Sequence, residues 1–289
     1  MQHNPIRAIG IMVLGMALLA MSDAFIKQSS RHASLGQIML MMSLGGTFLF
    51  VVVTRLRGIS LWTSDARHPM VLLRGTFEIV GAIGMITSIA HVPLSVFAAI
   101  MQAAPLVVTL GASLFLGEQV GWRRWAAIAV GLIGMLIVIR PFGSGFTGYE
   151  LFAVLGVSGL AARDLVTRLA PPHVPALFLS TWGFASTLIP GVLLLGLSGE
   201  AINWQPSALW PILGAIIVTT TGYFGVTVAM RMAPASIVSP FRYSRLIFTT
   251  GLGIAFFGDR PDFWTLVGAA LILAAGLYSF LRERRLAQS

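Results

Sequence analysis

Ten apolar runs follow one another along the chain, and most are close to the length of about 20 residues that a helix needs to cross roughly 30 Å of hydrocarbon. They read as Ile6–Lys27, Gly36–Val53, Met70–His91, Leu94–Leu116 and Trp125–Ile139. After a break they continue as Glu150–Leu169, Val174–Leu197, Ala208–Met232, Ala235–Phe257 and Phe263–Leu281. The alternating polarity of a transmembrane barrel strand is absent. The first run is too long for the core of a signal peptide and lacks a small-residue cleavage site before a polar start, so it reads as a membrane helix. Only 10% of the residues are charged, far below the quarter that covers an average soluble domain. The expectation is an all-α, multi-pass membrane protein, with the lipid bilayer as its first partner.

The formal charge of +9 would suggest nucleic acid in a soluble protein, but the positions of the basic residues give it another source. With the N-terminus inside, the cytoplasmic segments hold Arg7, Arg55, Arg57, Arg67, Arg123, Arg124, Arg168, Arg231, Arg282, Arg284 and Arg285, and the outer loops hold Arg31, Arg140 and Arg260. That asymmetry obeys the positive-inside rule and places both termini in the cytoplasm. No nucleic acid is needed to explain the charge. Six tryptophans fall near span ends, and Trp182 alone lies well inside one.

A Gly/Pro-rich linker, Arg140-Pro-Phe-Gly-Ser-Gly-Phe-Thr-Gly-Tyr149, leaves five runs on each side. A shift of 141 residues superposes Gly81 on Gly222, Gly84 on Gly225, Pro93 on Pro234 and Ser95 on Ser236. It also superposes Thr109 on Thr250, Phe115 on Phe256 and Gly117 on Gly258. The span boundaries coincide under the same shift. Because five is odd, a second related half enters the membrane from the opposite side. That is the inverted repeat typical of secondary transporters, which bind substrate near the midplane. The halves are expected as residues 1–141 and 142–289, ten helices around a central cavity, and a single chain can complete the pathway as a monomer.

Specific residues carry a family likeness. Ala104-Pro-Leu, Phe115-Leu-Gly-Glu118 and Gly131-Leu-Ile-Gly134 resemble the repeat signature of EamA-type transporters in the drug/metabolite transporter superfamily. Phe256-Phe-Gly-Asp259 and Gly268-Ala-Ala-Leu-Ile272 resemble its second copy, with Asp259 for the usual Glu and with Arg245 where the first copy has a small residue. The likeness is greatest to ten-helix exporters of aromatic amino acids and paraquat. It implies a bacterial inner-membrane exporter of small metabolites, most simply amino acids, working by alternating access. The alternative it leaves open is a lipophilic cation or another metabolite carried by proton exchange.

Ionisable groups inside the spans are the candidate site, since each costs about 2.5–3.5 kcal/mol at a helix centre unless it faces a cavity or a partner. Arg74 and Glu78 stand four apart and can pair, with Arg74 snorkelling to the cytoplasmic end. Asp23 and Lys27 repeat that spacing. Arg163 and Asp164 are adjacent and point about 100° apart, so one is expected at the cavity and the other toward a neighbouring helix. Ser239, Arg242, Tyr243 and Leu246 share one helix face and align with Ala98, Met101, Gln102 and Pro105. The expected substrate-binding set is Glu78, Met101, Gln102, Arg163, Tyr223, Ser239, Arg242 and Tyr243. Asp23, Asp164, Arg245, Pro105 and Pro240 are the expected coupling or gating set. An Arg can hold a carboxylate, while an aromatic face or an acid can hold an ammonium group. A second reading has Arg242 and Arg245 neutralise Glu78 and Asp164 to hold the bundle together. Tyr223 and Trp182 are candidate aromatic walls. No cysteine is present, the five histidines are scattered, and neither a P-loop nor a common hydrolase motif occurs. No metal, cofactor or catalytic residue is expected.

Overall fold

The computed structural model describes residues 5–117, 121–143, 145–232 and 238–286, and these form helices joined by short loops. The first half contains α1 (Pro5–Ser29), α2 (Leu35–Leu56), α3 (Pro69–His91), α4 (Leu94–Met101), α5 (Ala104–Phe115) and α6 (Trp122–Ile139). The second contains α7 (Glu150–Leu169), α8 (Ala176–Ser186), α9 (Leu188–Ser198), α10 (Pro206–Met232), α11 (Ser244–Phe257) and α12 (Phe263–Leu286). Short 3-10 turns cover Ser64–Arg67 and Ser239–Tyr243. Helix starts follow ordinary chemistry: Ser34 caps α2 by accepting from the Gln37 N–H, and Pro69 opens α3 where no N–H is needed.

Eight helices or helix pairs among the described residues are long and apolar enough to cross a membrane. Two of the ten expected runs differ, for different reasons. Helix α7 has the length but carries Glu150, Arg163, Asp164 and Arg168 within 20 residues. The ninth run is divided into a 3-10 turn and the 14-residue α11, and residues 233–237 lie outside the described residues. Many large apolar side chains point outward, among them Leu14, Phe48, Leu72, Phe115, Leu213 and Ile247. A water-soluble monomer does not tolerate so much exposed apolar surface, whereas acyl chains cover it at no cost.

Proline breaks the fourth run. Pro105 has no N–H to donate back to Met101, so α4 stops there and α5 starts at Ala104, after Gln102 and Ala103, through an Ala103 N–H to Ile100 O turn. Under the 141-residue shift, Gln102 and Ala103 correspond to Tyr243 and Ser244, where the 3-10 turn gives way to α11. The two halves therefore break at the same register. The seventh run also breaks, at Thr187 between α8 and α9, a few residues before Pro190.

The helices pack in antiparallel pairs: α1 on α10, α3 on α7, α6 on α12, and α2 on α8 and α9. Exchanging each helix for its counterpart in the other half returns the same set of pairs. Glycine sets the closest approaches. A methyl group at Gly84 would strike the backbone of Phe152 and Gly156, and one at Gly222 would meet Gly15 O of α1.

The two ends of the bundle differ. At the end bearing the linker, Gln37 bonds the Asn203 backbone in both directions and Arg140 pairs with Asp262. Hydrogen bonds from Thr265 and Arg140 pull the Asp262 carboxyl down to about 2. The main apolar cluster closes this end, with Ile26, Ile38, Ile89, Leu94, Phe97 and Val138 all buried. At the opposite end, where α1 begins and α12 finishes, two smaller clusters stand apart. One joins α1 to α10 around Met12, and the other surrounds Phe178. Asp65 and His173 link two loops there at 3.0 Å, and the histidine's hydrogen bond lowers the Asp65 carboxyl below its ordinary range.

Candidate functional site

A cavity of about 520 Å³ lies inside the bundle, bordered by Met16 of the α1–α10 cluster and by Met42 and Met101 of the main cluster. It runs from Ile26, Met39 and Ile86 beneath the apolar seal to Arg124, Arg168 and Phe280 at the end bearing the termini. Its wall includes Glu78, Met101, Gln102, Arg163, Tyr223, Arg242 and Tyr243, and also Asp23, Asp164, Arg245, Pro105 and Pro240. Ser239 lies in the 3-10 turn, and its side chain falls outside the described residues. The broken helices supply much of the wall. Straight helices would keep Gln102 and Tyr243 in regular i to i+4 packing, whereas the turns at Met101–Ala104 and Ser239–Tyr243 present them at the cavity edge.

Two charge clusters stand in this wall. In the first, Glu78 receives Arg163 Nη1 on Oε1 at 2.9 Å and Arg74 Nη2 on Oε2 at 3.2 Å. Arg163 also donates through Nε and Nη2 to a single oxygen of Asp164, at 3.0 and 2.8 Å. Arg74 does not snorkel. It is 5% exposed, with Nε donating to Thr167 Oγ1 at 3.0 Å and Nη1 to Leu179 O at 2.7 Å. Gly183 makes room for it, since a methyl group there would meet the guanidinium. In the second cluster, Arg245 grips Asp23 through Nη2 at 2.7 Å and Nε at 3.2 Å, and Thr249 donates to the same carboxylate.

Several expected pairings are corrected by this geometry. Asp23 and Lys27 do not pair, because the Lys27 ammonium group reaches the carbonyls of Ile89 and Val92 at the end of α3. Arg163 and Asp164 are adjacent, yet they bond each other, since a long guanidinium stem folds back over the 100° between them. Arg245 neutralises Asp23 and not Glu78 or Asp164. The Arg242 side chain has no ion pair or hydrogen bond among the described residues, and it faces the cavity beside Tyr243. Tyr223 reaches the cavity with its hydroxyl 3.0 Å from Ser180 Oγ. Trp182 is not in the wall. It packs edge-on against Trp62 and donates to Leu61 O, a structural role near the end bearing the termini. His91 stacks on Tyr149 at 3.9 Å, also away from the cavity. Sequence reasoning missed Ser22, Ser43 and Thr187 as wall residues, and it read Arg124 and Arg168 as loop charges only. Pro190 was the signal for the break that brings Thr187 to the wall.

The two halves use matching positions for different chemistry. The Arg163–Glu78 ion pair between α7 and α3 corresponds under the 141-residue shift to a 2.5 Å hydrogen bond between Ser22 of α1 and Thr219 of α10. Across halves, Asp259 Oδ2 accepts from the Ser95 N–H at 3.1 Å, which caps the first turn of α4.

Comparison with known proteins agrees with this arrangement. The model of the EamA-like transporter family matches twice, over residues 6–140 and 147–281. The pseudopaline exporter CntI of Pseudomonas aeruginosa is 28% identical over 278 residues, covering 91% of this chain and 92% of that protein. A riboflavin transporter of Rhizobium johnstonii is 32% identical over 215 residues, 74% of this chain and 70% of its own. An S-adenosylmethionine uptake transporter of Rickettsia bellii is 26% identical over 230 residues, 77% and 76% of the two chains. One solved crystal structure superposes with a TM-score of 0.62 over 97% of this chain and 98% of its own, at 18% identity, a likeness of fold.

Proposed function

The chain belongs to the EamA-like transporter family, and from that premise we propose that it exports amino acids across the bacterial inner membrane by alternating access. Its coarser character, a multi-pass membrane transporter of small molecules, comes from the family and its relatives. The finer reading is ours. Two inverted five-helix repeats, 1–141 and 142–289, fit the doubled family match, the antiparallel packing of counterpart helices and the shared register of the helix breaks. Ten crossings with both termini in the cytoplasm fit the arginine asymmetry. In that orientation the cavity opens to the cytoplasm and the apolar seal faces outward, the state in which an exporter loads.

The observation that carries the amino-acid reading is the charge of the cavity wall. Its three carboxylates, Asp23, Glu78 and Asp164, each already touch an arginine, whereas the Arg242 side chain has no ion pair or hydrogen bond among the described residues. Such a surface attracts a substrate that brings a carboxylate. Arg242 can take it in a forked pair, with Met101, Tyr223 and Tyr243 as the apolar and aromatic wall for a side chain. The charge of Arg242 opposes a lipophilic cation such as paraquat.

Charge reversal tests the site. Arg163→Glu or Arg242→Glu abolishes amino-acid flux in proteoliposomes while the protein still inserts. Undiminished flux in both variants at equal abundance removes these residues from the site.

A further inference from the structure

The two halves treat one acidic position differently. Asp23 and Asp164 correspond under the 141-residue shift, and the matched contacts Ser22–Thr219 and Arg163–Glu78 show that the correspondence holds in space as well as in sequence. Asp23 is 1% exposed, held by Arg245 and Thr249 of α11. The counterparts of Arg245 and Thr249 in the first half are Ala104 and Val108 of α5, two apolar residues that line the cavity. Among the described residues, Asp164 therefore has no cation from across the cavity. Its side chain is 42% exposed, and among the described residues only one of its oxygens is bonded, to its neighbour Arg163.

We infer that Asp164, facing Ala104 and Val108 of α5, is the subsite for the ammonium group of the substrate, which sits where the pseudo-twofold places the Arg245 guanidinium in the other half. The repeat supplies its own template. One half fills the acid with a tethered cation and fixes α11 to α1, while the other keeps the acid open to the cavity, so that only a cation carried by the substrate completes it. The second oxygen of Asp164 has acceptor capacity for an N–H donor while the first stays on Arg163. A carboxylate held by Arg242 and an ammonium group held by Asp164 together select a zwitterion over an equally apolar acid. This assignment rests on the amino-acid reading above and adds to it the group that Asp164 recognises.

Two measurements on the purified full-length protein test it. The first compares phenylalanine with 3-phenylpropionate, which differs by the missing amine, through ligand-induced stabilisation. Wild type prefers phenylalanine by about tenfold, the worth of one charge-assisted hydrogen bond, and Asp164→Asn binds the two compounds with equal affinity. The second needs no ligand. Ala104→Arg supplies the missing guanidinium, and its effect on the unfolding equilibrium differs by about tenfold between the wild-type and Asp164→Asn backgrounds. Absence of that coupling, or an amine preference that survives Asp164→Asn, overturns the assignment. Coupling in a protein whose wild type binds neither compound leaves the cation subsite standing and removes the amino-acid reading instead.

Discussion

The Asp23–Arg245 pair fastens α11 to α1 from within the bundle, so its removal has a calculable cost. Asp23 is 1% exposed and Thr249 fully buried, and two of the three hydrogen bonds to the carboxylate come from Arg245. Arg245→Ala leaves that charge with one hydroxyl donor. Breaking a buried pair from one side costs about 3–5 kcal/mol. Protonation sets a ceiling, because adding a proton at pH 7 to a carboxylate of ordinary pKa near 3.9 costs about 4 kcal/mol. The expected loss is therefore about 3 kcal/mol, roughly a hundredfold in the unfolding equilibrium constant. It shrinks as the pH is lowered toward 5, where the ceiling falls to about 1.5 kcal/mol. Replacing both partners, as Asp23→Leu with Arg245→Met, removes the stranded charge and recovers most of the loss. Reversible unfolding in mixed detergent, followed through the seven tryptophans, reads both variants. A single-variant loss below about 1 kcal/mol, or a double variant no better than Arg245→Ala, refutes the buried pair as the fastening between these helices.

Two smaller predictions concern packing and pH. Gly183→Ala drives a methyl group into the Arg74 guanidinium and the Glu78 carboxylate, and it is expected to lower stability by about 1–3 kcal/mol and to weaken substrate binding through Glu78 and Arg163. A melting temperature and affinity equal to wild type contradict that fit. Asp262 is held near 2, below an ordinary carboxylate, so the stability it adds is complete above about pH 4 and disappears as the pH falls through about 2. The difference in melting temperature between wild type and Asp262→Asn is expected to be constant from pH 7 to 5 and to close below pH 4. A difference independent of pH assigns the residue to packing.

The membrane-spanning elements were legible because hydrocarbon thickness sets a length that composition alone reveals. The breaks at Pro105 and Pro240 were legible for a similarly local reason, the missing N–H. Partner choice was not local. Arg245 and Asp23 are 222 residues apart, and helix spacing could offer Asp23 only Lys27, which went to backbone carbonyls instead. The Cα–Cβ bonds of adjacent residues diverge by about 100°, a direction that does not reveal the reach of the long Arg163 stem back to Asp164. One signal lay in plain view: the shift that aligns the glycines also aligns Asp23 with Asp164, and it marks the acid that lacks a partner in α5. Arg124 and Arg168 served the orientation argument, yet the same positions place them in the cavity wall, because the ends of α6 and α7 frame its mouth.

Counterflow in proteoliposomes tests the central claim most directly. Vesicles are preloaded with one unlabelled amino acid at a time from a panel and given a trace of labelled amino acid outside. Transient accumulation of label whose height depends on the amino acid inside is the expected result, with Arg242→Glu vesicles flat throughout. Absence of accumulation across the whole panel, with inserted and correctly folded protein, contradicts amino-acid carriage by this cavity.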